Sequence, residues 1–160
     1  MFENLKAVLN DFGELLVKEY RDKLDKSGSN ASHKLSNTAT YIVAYNNASF
    51  EVKLSLEEYW KYVEYGRKPG YFPPFDDIKK WIEIKPIIPR PFRNGYLPTI
   101  NQLTCLIQDK IYKEGIQPKN LLNKSIEEVW YVMQEYIEDA IIKDCENEVM
   151  MELYKYPNIK

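Results

Sequence analysis

The stretch TATYIVAYNNASFEVKLSL, residues 38–56, decides the fold class. Phe50, Val52, Leu54 and Leu56 alternate with Glu51, Lys53 and Ser55, the two-residue period of a strand with one wet face. The run 40–45 before it is rich in β-branched and aromatic residues, and Asn46-Asn47 supply turn chemistry between the two. A β-hairpin over 40–56 is therefore expected. The rest of the chain reads as helix and loop, which makes an α+β domain of four or five helices packed around a small antiparallel β-sheet. A lone hairpin is marginal in water, so its strands must pack on the long helices or pair with strands of another copy.

Upstream, Phe2, Leu5, Leu9, Phe12, Leu16, Tyr20 and Leu24 form one apolar helical stripe that Gly28 can terminate. Residues 27–37 are rich in Ser and Asn and read as a loop with one helical turn around Lys34. Downstream, Ser55 and Glu58 match a capping box for a helix from about Glu57 to Tyr65, with Gly66 as its stop. Asp76 and Asp77 suit the start of a helix carrying Ile78, Trp81 and Ile82. Between Lys85 and Pro98, four prolines and a glycine predict an irregular, semi-extended excursion. Thr99 and Gln102 form a second capping box for a helix ended by Gly115, and Ser125 with Glu128 a third for a last helix lined on one side by Ile126, Val129, Trp130, Met133, Ile137, Ala140 and Ile141. The pattern weakens after Met151, so a single domain over 1–150 with a frayed tail at 151–160 is expected. No internal repeat stands out.

At 160 residues the chain has room for one core, and its thirteen Tyr and three Trp favour half-wet contacts. Cys105 and Cys145 stand in helical patterns without a partner at ligand spacing, so neither a disulfide framework nor zinc is indicated and a reducing cytosol fits. The opening MFENLKAVLNDF lacks the basic flank and apolar block of a signal peptide, and no run reaches membrane-spanning length. Asn30 and Asn47 begin Asn-Ala-Ser triplets, which read as chance without a secretory route. The net charge is −2, but residues 61–93 hold eight basic and four acidic side chains while 127–152 hold one basic and nine acidic. Such a chain is not a general nucleic-acid binder.

Catalytic chemistry finds little purchase. His33, the single histidine, sits in the Ser/Asn loop without a nucleophile signature and reads as a solvated side chain. Asp76 and Asp77, even with Glu64 or Glu83, diverge around a helix and suit capping better than a cation. Gly66 and Gly70 flank Arg-Lys-Pro without a phosphate-cradling pattern. The expectation is a non-enzyme with no catalytic, cofactor-binding or metal-ligating residues.

The segment YWKYVEYGRKPGYFPPFDDIKKWI, residues 59–82, followed by IQDKIYKEGIQPKNLL, residues 107–122, resembles the tailed-phage head-to-tail joining family of neck, tail-completion and minor tail proteins. The resemblance lies in Tyr62 to Gly70, Pro73-Pro74, Trp81, Lys85, Ile107 to Ile111, Gly115 and Pro118 to Leu122, and with the leading helix, the SHKLSN loop and the hairpin it covers about residues 1–145. It implies a multimeric virion component between portal and tail, present in the host cytoplasm during assembly, with homo-oligomeric ring contacts, portal and tail partners, passive proximity to DNA along the acidic last helix, and no membrane. Physically, Gly66 allows a left-handed helix end, Pro69-Gly70 turns the chain and Pro73-Pro74 keeps it extended. The expected product is a stiff, protruding bend whose Arg67 pairs with Glu64 or with the last helix of a neighbouring copy. The expected interface residues are Tyr62, Tyr65, Gly66, Arg67, Pro69, Gly70, Tyr71, Phe72, Pro73, Pro74, Arg90, Phe92 and Arg93. The alternative is a nucleic-acid-associated or regulatory binding module using the basic loops at 66–70 and 85–95, with Arg67, Lys68, Arg90 and Arg93 on phosphate.

Overall fold

The hairpin forms, with β1 (Thr40–Asn46) antiparallel to β2 (Ser49–Ser55) and a register running from Thr40 opposite Ser55 to Asn46 opposite Ser49. The computed structural model describes residues 2–29, 33–46, 49–85 and 87–155. The Asn30 triplet, the Asn47 turn position, Pro86 and the tail from 156 lie outside the described residues. Within them stand six helices, α1 (Glu3–Lys26), α2 (Lys34–Thr38), α3 (Trp60–Tyr65), α4 (Phe75–Ile84), α5 (Ile100–Glu114) and α6 (Leu121–Tyr154), so the α+β class holds with a higher helix count than expected. The chain groups into two compact units, Met1–Lys23 with Ala39–Leu56 and Leu122–Lys160, and Leu24–Thr38 with Glu57–Leu121.

The first unit is built on the stripe of α1. Leu5, Phe12 and Leu16 bury against Val129, Ile137 and Ala140 of α6, and Phe50, Val52 and Leu54 of β2 close over them. These β2 residues lie opposite Tyr45, Val43 and Tyr41, so the hairpin presents one apolar face to the helices as its alternation requires. Gly13, a poor helix former, has a packing reason: a Cβ there would lie 2.3 Å from the Tyr41 ring.

Apolar contact is non-directional, and two polar tethers set how α1 lies along α6. Near the start of α1 the Asp144 carboxylate accepts the backbone N–H groups of Asn4 (3.2 Å) and Leu5 (2.8 Å) and the Asn4 side-chain amide (2.8 Å). No Ser, Thr or Asp precedes this helix, and α6 supplies the missing cap from 139 residues away in sequence. Near the other end Lys23 bridges Glu19 of its own helix and Glu128 of α6. The tethers are about 28 Å apart along α1 and about 24 Å along α6, so the antiparallel pair is held at both ends. Burial pulls the Lys23 ammonium down, but its bonds to Glu128 and Glu19 outweigh it and leave the pKa raised.

Two of the three capping boxes do not form. Ser55 stays in the ladder opposite Thr40, and α3 starts at Trp60 with no side-chain cap on Tyr59. Ser125 is buried inside α6, which begins four residues earlier at Leu121 because Leu121 and Leu122 are themselves buried. The Thr99–Gln102 box forms reciprocally, Thr99 accepting from the Gln102 N–H and the Gln102 side chain from the Thr99 N–H. α6 also runs past Met151, to Tyr154.

Burial works to raise the Asp144 carboxyl, but the N–H bonds from Leu5 and Asn4 prevail and hold its pKa below the usual value. A carboxylate depressed on folding stabilises above its unfolded value of about 3.9 and loses that contribution as pH falls through the lower folded value. Asp144→Ala is expected to cost about 1–3 kcal/mol at neutral pH, and the gap to wild type to narrow in urea titrations below about pH 4.

Candidate functional site

The second unit turns on two segments with the same order, a helix, a glycine, two residues and a proline: α3 with Gly66-Arg67-Lys68-Pro69, and α5 with Gly115-Ile116-Gln117-Pro118. Gly66 (φ 69°, ψ −161°) and Gly115 (φ 72°, ψ −161°) share a backbone region open essentially to glycine alone, rather than the left-handed helical cap expected for Gly66. From there the segments run antiparallel. The Arg67 N–H donates to the Ile116 carbonyl (2.9 Å) and the Ile116 N–H to the Arg67 carbonyl (2.8 Å).

Each segment then caps the other's helix. The Gly70 N–H reaches the Tyr112 carbonyl in the last turn of α5 (2.8 Å), while the Lys119 and Asn120 N–H groups reach the Val63 and Glu64 carbonyls of α3 (3.1 and 3.2 Å). The approach leaves no room for side chains. A Cβ on Gly66 would lie 2.2 Å from the Ile116 carbonyl oxygen, and one on Gly115 2.3 Å from that of Arg67. Pro69 and Pro118 pack by the opposite glycines, where a residue without an N–H forfeits no donor.

The bend is therefore stitched along its length to residues 112–120 and does not stand free. Gly66, Gly70 and the Arg67 backbone are engaged internally, and Pro73 is buried with its carbonyl accepting from Gln108 Nε2 at 2.6 Å. Pro74 sits exposed at the N-cap of α4, with Asp76 and Asp77 in the first turn as expected. What faces outward is a row of aromatics: Tyr62 (52% exposed), Tyr65 (62%), Tyr71 (73%) and Phe72 (57%). Phe72 stacks flat on Tyr112, with ring centres 4.3 Å apart at 10°, and Tyr65 tilts against Trp60. The Arg67 guanidinium lies 6.0 Å over the Tyr62 ring and donates to the Phe72 carbonyl (3.3 Å), so it braces the row instead of pairing with the buried Glu64.

Arg90, Phe92 and Arg93 belong to a separate segment. A tight turn closes it, Gly95 N–H to Phe92 carbonyl and Phe92 N–H to Tyr96 carbonyl, and both arginines are exposed. Among the described residues no hydrogen bond or ring contact joins them to 62–74. Tyr112, Gln108 and Gly115-Pro118 are members of the site absent from the expected interface residues, although Gln108, Gly115 and Pro118 lie in the stretches that carry the resemblance and the Gly-x-x-Pro order occurs twice. Lys85 and Lys119 add a further brace, donating to the carbonyls of Gly28 (3.2 Å) and Ser27 (2.8 Å) just past α1. Burial, with the nearby Lys85 charge, pulls the Lys119 pKa down.

Among the described residues no three His, Cys, Asp or Glu side chains gather as for a metal, and no helix is long and apolar enough to cross a membrane. His33 is exposed, its ring 3.7 Å from Asp25 just ahead of α2. No family model matches the chain, and comparisons with curated proteins and with solved structures return no match.

Gly66→Ala and Gly115→Ala combine positive φ with a backbone collision, and each is expected to destabilise by about 3 kcal/mol or more. Gly95→Ala, at φ 83° with open space around it, should cost only about 1 kcal/mol. Denaturant unfolding of the three variants measures the contrast.

Proposed function

We propose that this chain is a non-enzymatic structural subunit of the head-to-tail joining apparatus of a tailed bacteriophage, one copy of a homomeric ring between portal and tail. The observation that carries this is the outward aromatic row on a backbone clasp. Aromatic side chains with a polar handle are the residues that protein interfaces favour, and a row already held in place loses little conformational freedom on docking. The sequence resemblance over 59–82 and 107–122 supports the same assignment, because those stretches are the two halves of the clasp. A ring requires a heterologous contact, in which one patch of each copy meets a different patch of the next. Its place is the virion, reached through assembly in the host cytoplasm, with portal and tail proteins as neighbours.

Native mass spectrometry of the purified chain, alone and with the portal complex, tests the proposal together with electron microscopy of the same samples. Tyr65→Ala with Tyr71→Ala leaves the clasp backbone intact and is expected to keep the fold while lowering assembly at least about tenfold. Unchanged assembly in that variant removes the aromatic row from the contact, and absence of assembly with steeply salt-dependent DNA binding by the wild type points instead to the nucleic-acid module.

A further inference from the structure

α6 carries a second apolar surface that its own unit leaves uncovered. Ala140 and Asp144 face α1, whereas Ile142, about 200° round the helix from Ala140, is exposed and is continued by Cys145, Val149 and Leu153 at helical spacing. Ile141, Ile142, Cys145, Glu146, Val149 and Met150 border an open groove of about 640 Å³ there. The flanks are acidic, since Glu138, Asp139 and Glu146 are exposed on this stretch of α6 with Lys143 as its one base. A second α6 is therefore a poor occupant, because like charge would face like charge along the seam. The groove suits an apolar segment that also carries basic side chains.

Such a segment exists in the chain itself. Residues 87–98 contain no acid, carry Arg90 and Arg93, and expose Ile88 (94%), Tyr96 and Leu97. Pro89 and Pro91 restrict its first half and the hydrogen-bonded turn from Phe92 to Tyr96 orders the rest, which keeps its ordering cost low. We propose that the 87–98 segment of one copy docks on the outer groove of α6 in a second copy, with Ile88, Tyr96 and Leu97 against Ile142 and Val149 and the two arginines beside Glu138 and Glu146. The contact rests on the self-assembly proposed above and adds a donor and an acceptor to the contact made through the aromatic row.

Cross-linking tests it directly. In a Cys105→Ser, Asn94→Cys background a short bismaleimide is expected to join position 94 of one copy to the native Cys145 of another, assigned by mass spectrometry of mixed isotope-labelled and unlabelled protein. Arg90→Glu with Arg93→Glu, and separately Glu138→Lys with Glu146→Lys, should each lower the yield about tenfold, and mixing the two reversed chains should restore it. Products joined only through Cys145 to Cys145, or a 94-to-145 link confined to single copies, overturn the proposal. Assembly seen by native mass spectrometry but indifferent to both charge reversals overturns this contact and leaves the ring standing. Absence of assembly at every concentration, with or without the portal complex, removes both.

Discussion

The approach of two backbones at Gly66 and Gly115 is the constraint on which the second unit depends. α3 has only six residues, far below the length at which a helix sustains itself in water. Its last carbonyls are met by Lys119 and Asn120, while Gly70 returns the service to α5. Both exchanges need the two segments in hydrogen-bonding contact, and a single methyl group at either glycine would collide with a carbonyl oxygen of the other segment. The direction in which the chain leaves toward Pro73 and α4, and so the orientation of the Tyr71 and Phe72 rings, follows from that contact.

The first unit solves a different problem by a different means. Long helices with an apolar stripe have ample burial but a seam that permits sliding, since one turn of displacement exchanges one aliphatic contact for another. Asp144 and Lys23 remove that freedom, because a buried carboxylate displaced from the N–H groups of Asn4 and Leu5 would lose its bonds without regaining water. Burial thus provides the driving force and the two tethers select the register.

The elements legible from sequence are those whose signals are local. Alternation over 50–56, the stop at Gly28, the Thr99 box and the acids opening α4 each involve residues within a turn of one another. Ser55 and Ser125 match the same local pattern and fail because a ladder partner and a buried leucine pair, both nonlocal, outbid it. The cap on α1 could not be read at all, since its acceptor belongs to the last helix. At the candidate site the aromatics were legible as an exposed group but the roles of the glycines and prolines were not. Gly66, Gly70 and Pro73 carry the same letters whether they face a partner or an internal strand, and only the pairing of 67 with 116 distinguishes the two.

The division between satisfied backbone and uncovered side chains bears on what kind of molecule this is. A monomer evolved to stand alone covers its large apolar patches or scatters them. Here α6 carries apolar residues on both sides, while the irregular 87–98 segment exposes an isoleucine almost completely. Yet the turns in the second unit are closely tied, with N–H groups placed on the helix-end carbonyls of partner segments. Conformational freedom has been removed first at the backbone, where ordering is expensive, and adhesive area has been left at side chains, where it is cheap. That ordering of priorities suits the ring subunit proposed above, in which each copy would meet the next with contact surfaces already shaped.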